Sequence, residues 1–263
     1  MPYADLGEAR LFYTDDGTGE TTLLLVHGLG ADSHEWVHHI PALRERHRVI
    51  AVDLRGHGYS SAPPSGNEPR AMAADLLKLC DALGVARCVP VGHSMGGHVV
   101  VHLAAERPEL VPALVAVDAG YGFAGAVAAA FPGMIAAMRA DVHEASLRND
   151  EWTATPATPA WIREWHRRRI LATPPHVLLQ AFEGMFGGED ALGLRHNAGP
   201  HLARLACPVL SFRFDREHAA WEAGVFKDPR SRVVLWEGSG HRLHEERPAE
   251  FVLVLTEWLR SLQ

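Results

Sequence analysis

Apolar and polar positions along this chain fall into two alternating rhythms. The stretch "TTLLLVHG" (residues 21–28) is a continuous apolar run of strand length that stops at a glycine. That is the pattern of a strand covered on both faces. "HRVIAVDLRG" (47–56), "CVPV" (88–91), "LVPALVAVDAG" (110–120), "CPVLSFRF" (207–214) and "SRVVLWEG" (231–238) repeat it, and "RLFYTDD" (10–16) reads as an earlier strand. Between these runs the period changes. Residues 69–83 place Met72, Leu76, Leu79, Cys80 and Leu83 on one helical face, a helix is predicted from about Met95 to Glu106 and closed by Pro108, and a last one from about Pro248 to Leu262. Strands alternating with crossover helices predict an α/β fold with a mostly parallel central sheet.

The alternation stops between Gly120 and about Leu205, where helical stretches, prolines and large apolar residues occur without a good strand. The division predicted is a core of residues 1–119 and 206–263 with a helical insertion over 120–205. Tyr121, Phe123, Phe131, Met134, Met138, Trp152, Trp161, Trp165, Phe182, Met185 and Phe186 lie in the insertion, either packing it onto the core or lining an apolar pocket. The uncharged segment 119–138 has the length of a membrane span, but it is mostly Ala and Gly, and Pro132 with Gly133 is expected to interrupt a helix there. A loop followed by a buried or substrate-facing helix is the better reading. No internal repeat is evident.

Composition narrows the function classes. With 263 residues, 47 % of them hydrophobic, the chain has enough material for one domain with an insertion. A net charge of −7 offers no basic footprint for nucleic acid. Cys80, Cys88 and Cys207 cannot all pair, and each sits in an apolar setting typical of reduced thiols. Charges in "MPYADLGEAR" stand where a secretion signal needs an apolar run, so a reducing cytoplasm is expected.

Chemistry concentrates at the turns. Gly92-His93-Ser94-Met95-Gly96 is a G-x-S-x-G pattern between a predicted strand and a predicted helix, the context in which a sharp turn projects a serine hydroxyl. A phosphate cradle is disfavoured, since neither G-x-x-x-x-G-K-[ST] nor G-x-G-x-x-G is present. A serine becomes a nucleophile only when a base takes its proton. Of seventeen histidines, His241 follows a strand in the loop "GSGH" and precedes the final helix. His244 is the rival base and otherwise reads as a cap or surface residue. His93 adjoins Ser94 but points the other way if Ser94 is at the tip, and His27 and His57 sit in Gly-rich turns where loop hydrogen bonding accounts for them.

"LLLVHGLG", "DLRGHGYSS", "VGHSMGG" and "GSGHRLHEERPAEF", in that order, resemble the α/β-hydrolases over almost the whole chain. The resemblance implies that Ser94 is the nucleophile and His241 the base, that the N–H groups of Leu29 and Met95 form the oxyanion hole, and that the insertion is a cap over the site. Branches with an aspartate nucleophile, such as haloalkane dehalogenases and epoxide hydrolases, are disfavoured by the serine. The third member departs from the usual pattern. Most of the family takes an acid three residues after a glycine that ends the strand here written "PVLSFRF"; this chain has Phe214 in place of the glycine, Glu217 where the aspartate would stand, and Asp215 two residues earlier. Other branches, some macrolactone hydrolases among them, take it from the end of the preceding strand, where Asp118 stands. Asp118 is the first candidate, with Glu217 and Asp215 as alternatives.

Two other features have plainer readings. His34 and His38 are four apart and His38 and His39 adjacent, but spacing suggests no third ligand, so a solvated helix face is expected and no metal. "REWHRRRI" (163–170) reads as an exposed basic helix paired with nearby Glu, ahead of recognition of a substrate carboxylate. The activity expected is cofactor-free hydrolysis of a carboxylic ester or lactone of a medium-sized apolar small molecule, with no nucleic-acid partner. Carbon–carbon bond hydrolysis with the same residues, or a hydrolase-like small-ligand receptor, are the alternatives; the oligomeric state is not legible.

Overall fold

The computed structural model describes residues 2–156 and 158–262. An eight-stranded sheet is built from β1 (Tyr3–Asp5), β2 (Arg10–Asp16), β3 (Thr22–Val26), β4 (Arg48–Val52), β5 (Val89–His93), β6 (Leu114–Val117), β7 (Val209–Arg213) and β8 (Arg232–Leu235). Their order across the sheet is β1-β2-β4-β3-β5-β6-β7-β8. β1 and β2 pair antiparallel, as do β2 and β4, and from β4 onward every pairing is parallel. The edge strand β1 has no apolar run and is not predicted by the pattern.

The core helices are α1 (Ile40–Leu43), α2 (Pro69–Ala82) and α3 (Met95–Glu106). The insertion carries α4 (Gly125–Ala140), α5 (Val142–Thr153), α6 (Ala160–Ala172), α7 (Pro175–Phe186) and α8 (Arg195–Leu202). α9 (Arg216–Val225), α10 (Leu243–Glu246) and α11 (Pro248–Ser261) complete the chain. Every residue of β3, β5 and β6 is buried, because helices cover both faces of the sheet. Alternation along β3 divides the core: Leu24 and Val26 pack with Met72, Leu76, Val99 and Val100 of α2 and α3, whereas Leu23 and Leu25 pack with Trp36, Phe251 and Leu255 on the other face.

Between β6 and β7 the described residues form five helices and no strand, apart from a single bridge pairing Phe123 with Leu194. One expectation is corrected here. α4 runs without a break through Pro132 and Gly133. Phe131, Ile135 and Met138, spaced by four and three, are buried, and α4 packs on α5 and α7; this tertiary packing outweighs the lost backbone hydrogen bond. Among the described residues no helix is long and apolar enough to cross a membrane. The large side chains of the insertion divide. Phe131 and Phe186 stack at 4.2 Å within a cluster that includes Phe123 and Phe182, whereas Trp152 and Trp161 are exposed.

Candidate active site

Ser94 is the single residue between β5 and α3, and it takes φ 52° and ψ −113°, a conformation an L-residue adopts only when its surroundings enforce it. Small neighbours allow the turn. A β-carbon on Gly92 would lie 2.3 Å from the Gly96 carbonyl oxygen, and one on Gly96 2.4 Å from that of Val26. The "HGLG" loop after β3 passes directly beside the turn, with Gly28 against the Ser94 side chain. Met95 is the first residue of α3, where backbone N–H groups have no intrahelical acceptor. Among the described residues neither the Met95 nor the Leu29 N–H donates to another group. Both are free to point at an anion.

His241 lies in the loop between β8 and α10, with its side chain 18 % exposed. Its Nδ1 donates to Oδ2 of Asp118 at 2.5 Å. Asp118, at the end of β6, has a positive φ of 38° that turns its carboxylate out of the strand direction. Two contacts fix the His241 backbone: its N–H donates to the Thr153 carbonyl at the end of α5, and its carbonyl accepts from Nε2 of His93 at 3.1 Å. The neighbouring Arg242 forms a buried ion pair with Asp150 of α5, a second tie between this loop and the insertion.

Asp118 and His241 hold opposite protonation tendencies in check. Burial alone would raise the Asp118 carboxyl, but the hydrogen bond from His241 and the charges of His241 and Arg213 outweigh it and hold it below its ordinary value. Burial pushes His241 below the ordinary imidazole value, against the raising effect of Asp118. At neutral pH the pair is therefore a carboxylate beside a neutral imidazole. The other Asp118 oxygen is 3.3 Å from Nη1 of Arg213, which also donates to the Ala119 carbonyl at 2.7 Å. Nη2 of Arg213 donates to Glu222 at 2.6 Å, and the Ser211 hydroxyl to the second Glu222 oxygen at 2.5 Å.

The two other carboxylates are occupied elsewhere. Glu217 is 80 % exposed and pairs with Arg195 at 3.1 Å, and Asp215 caps α9 by accepting the His218 N–H at 2.8 Å. His244 is neither a cap nor a surface residue: it is fully buried, and its Nε2 donates to Glu35 at 3.0 Å. The solvated helix face expected around His34 is also only partly present. His34 and His38 are exposed, but His39 is buried and donates to the His244 carbonyl. His27 and His57 make loop hydrogen bonds, to Gly28 and Arg55.

Glu35, His93 and His244 bring three metal-ligating groups within 4.8 Å of one another. The Glu35 Oε1 and His93 Nδ1 are 2.5 Å apart, whereas two ligands on one zinc ion, at bond lengths of about 2 Å, stand roughly 3.3 Å apart. Glu35 is in close charge contact with His93 and accepts a hydrogen bond from His244, and the cluster is best described as a buried polar network. Arg213, Glu222 and Glu35 escaped the sequence reading. Arg213 in "VLSFRF" and Glu222 in "AAWEAGV" each stand as a lone charge inside an apolar stretch, which was the available signal; Glu35 in "SHEW" had none.

The model of the alpha/beta hydrolase fold family matches residues 21–158, which hold the strand, the "HGLG" loop and the serine turn just described. The chain belongs to the α/β-hydrolase family. The relatives of this chain are named for several activities. A soluble epoxide hydrolase of Corynebacterium sp. is 32 % identical over 243 residues, 91 % of this chain and 81 % of that protein. A dihydrolipoyllysine-residue acetyltransferase component of the acetoin cleaving system of Cupriavidus necator is 37 % identical over 125 residues. That match takes in 48 % of this chain and only 33 % of the Cupriavidus protein's length. Among solved structures, a thermophilic esterase from Thermogutta terrifontis superposes with a TM-score of 0.81 at 28 % identity, covering 98 % of this chain and 96 % of that one.

Proposed function

We propose that this α/β-hydrolase is a serine hydrolase that cleaves a carboxylic ester or lactone of a medium-sized, largely apolar small molecule. The observation that carries the reading is the His241–Asp118 contact at 2.5 Å in a site whose sharp turn presents Ser94. In this reading His241 Nε2 takes the Ser94 proton while Oγ attacks the carbonyl, and the Leu29 and Met95 N–H groups stabilise the oxyanion. Asp118 fixes the tautomer and stabilises the imidazolium that forms. Collapse expels the alcohol with the proton from His241, and a water activated by the same imidazole releases the acid.

The serine also bears on the relationship to the Corynebacterium epoxide hydrolase. Opening an epoxide with a serine hydroxyl would leave an alkyl ether, which has no carbonyl for water to attack, so turnover would stop after one cycle. Attack on an ester leaves an acyl-enzyme that water can hydrolyse. The likeness to the Thermogutta esterase supports the same reaction class. The test is a panel of esters and lactones, with diketones alongside, assayed on wild type and Ser94→Ala. Acid products from esters or lactones that vanish in Ser94→Ala are expected; retained turnover in that variant overturns the reading.

A further inference from the structure

Glu35 lies in the short 3-10 turn Ser33–Trp36 and is 1 % exposed. A carboxylate at that depth must be held by donors, and its two oxygens reach three separate loops. Oε2 accepts the N–H of Gly28, the residue before Leu29, at 3.0 Å. Oε1 lies 2.5 Å from Nδ1 of His93, the residue before Ser94, and accepts from Nε2 of His244, three residues after His241, at 3.0 Å. The His93 ring carries the connection onward: its Nε2 donates to the His241 carbonyl, and the two imidazoles sit 4.7 Å apart. Burial alone would raise the Glu35 carboxyl, but the charge of His93 and the hydrogen bond from His244 outweigh it and keep it well below its ordinary value.

Stability alone gives no reason for this arrangement, because buried ionic clusters are often replaced by apolar side chains at no cost. Placement does give one: a shift of about 1 Å among reacting groups costs on the order of 100-fold in rate. We propose that Glu35 is a positioning residue, which sets the spacing of Ser94, His241 and the Leu29 N–H by tying their chain neighbours to one carboxylate. Glu35 itself touches no reacting atom. The inference rests on the roles given to Ser94, His241 and Leu29 above.

The test uses p-nitrophenyl butyrate turnover and the rate of labelling by a fluorophosphonate, a reagent that modifies serine nucleophiles, on wild type, Ser94→Ala, Glu35→Gln, His93→Gln and the Glu35→Gln/His93→Gln double variant. Glu35→Gln keeps the shape and an acceptor for Gly28 but removes the charge. Its kcat is expected to fall about 10- to 100-fold with KM within about twofold of wild type, and labelling to slow by the same factor. Because His93 lies on the same link, the losses of the two single variants should combine to much less than their product. A purely structural role would lower Tm and leave kcat per folded molecule unchanged. Folded Glu35→Gln with kcat and labelling within about twofold of wild type overturns the proposal, as do fully multiplicative losses. If Glu35→Gln does not fold, His93→Gln is read by the same kcat, KM and labelling criteria and decides the matter. Turnover or labelling that survives in Ser94→Ala overturns the underlying reading of the site instead, so the two failures are distinct.

Discussion

Arg213 reaches Asp118 from the neighbouring strand, with Nη1 3.3 Å from the carboxylate while Nη2 is bound to Glu222 at 2.6 Å. Arg213 and Glu222 are both fully buried, and their charges cancel, which leaves the Asp118 charge for His241. Removing one partner strands the other. Arg213→Met is expected to cost about 3–5 kcal/mol in urea unfolding, because Glu222 is left buried and uncompensated, and Arg213→Met/Glu222→Met to recover much of that loss. A double variant less stable than the single one would show that the pair is not the unit that matters.

The choice among three carboxylates gives a sharp comparison. With Asp118 on His241 Nδ1, Asp118→Asn should lower kcat by about 10³- to 10⁴-fold on whichever ester is turned over, since an amide cannot hold the tautomer or the imidazolium. Glu217→Gln removes only an exposed pair with Arg195, and Asp215→Asn keeps a competent helix cap, so both should stay near wild type. Steady-state kinetics of the three purified variants decides it.

Much of this was legible along the chain, and the rest failed for physical reasons. The helix Met95–Glu106 has the predicted bounds because its signals are local: a glycine and the serine turn before it and a proline after it. Asp118 could not be separated from Asp215 and Glu217 by spacing, because β6 and β7 are adjacent parallel strands whose ends lie about 5 Å apart at the same sheet edge. Only side-chain direction separates them, and that depends on the positive φ at Asp118. The burial of His39 and His244 was hidden for another reason. Their partners, His244 and Glu35, lie more than 200 residues away along the chain, so no local pattern marks them.

Activity should depend on pH through His241. The base must be neutral to accept the Ser94 proton, so kcat/KM is present above the His241 pKa and lost as pH falls through it. Burial lowers that pKa, so the acid limb should have its midpoint below 6.5. A pH–rate profile of an ester substrate measures it directly, and a midpoint above 6.5 would mean that Asp118 dominates over burial.

Acid lability should set in well above the range in which carboxylates titrate. Burial pushes His57, His98, His218 and His244 down to about 3, so each stays neutral in the folded chain. Once unfolded, each takes a proton near 6.5. Between these values the unfolded state binds more protons, so stability falls with decreasing pH, by about 1.4 kcal/mol per unit for each such residue. Together the four remove about 5.6 kcal/mol per unit, which exhausts a typical reserve of roughly 5–15 kcal/mol within about one to three units. Unfolding followed by circular dichroism should therefore be complete by about pH 4, before the lowered Asp118 carboxyl contributes its own loss as pH falls further.

Glycine substitutions should separate the turn from the insertion. A β-carbon on Gly96 would meet the backbone carbonyl of Val26 at 2.4 Å and that of His27 at 2.8 Å, and neither can move without displacing β3. Gly96→Ala is expected to shift α3 away from the sheet, taking Met95 and Ser94 with it, and to abolish ester turnover even where folded protein is recovered. Gly133, in the middle of α4, has nothing within 4 Å of the corresponding position and an ordinary helical backbone. Gly133→Ala should therefore stabilise by about 0.4–1 kcal/mol through reduced freedom of the unfolded chain. Thermal melts and ester kinetics of the two variants should diverge in opposite directions; a destabilised Gly133→Ala would show that the proline-containing turn before it needs the glycine.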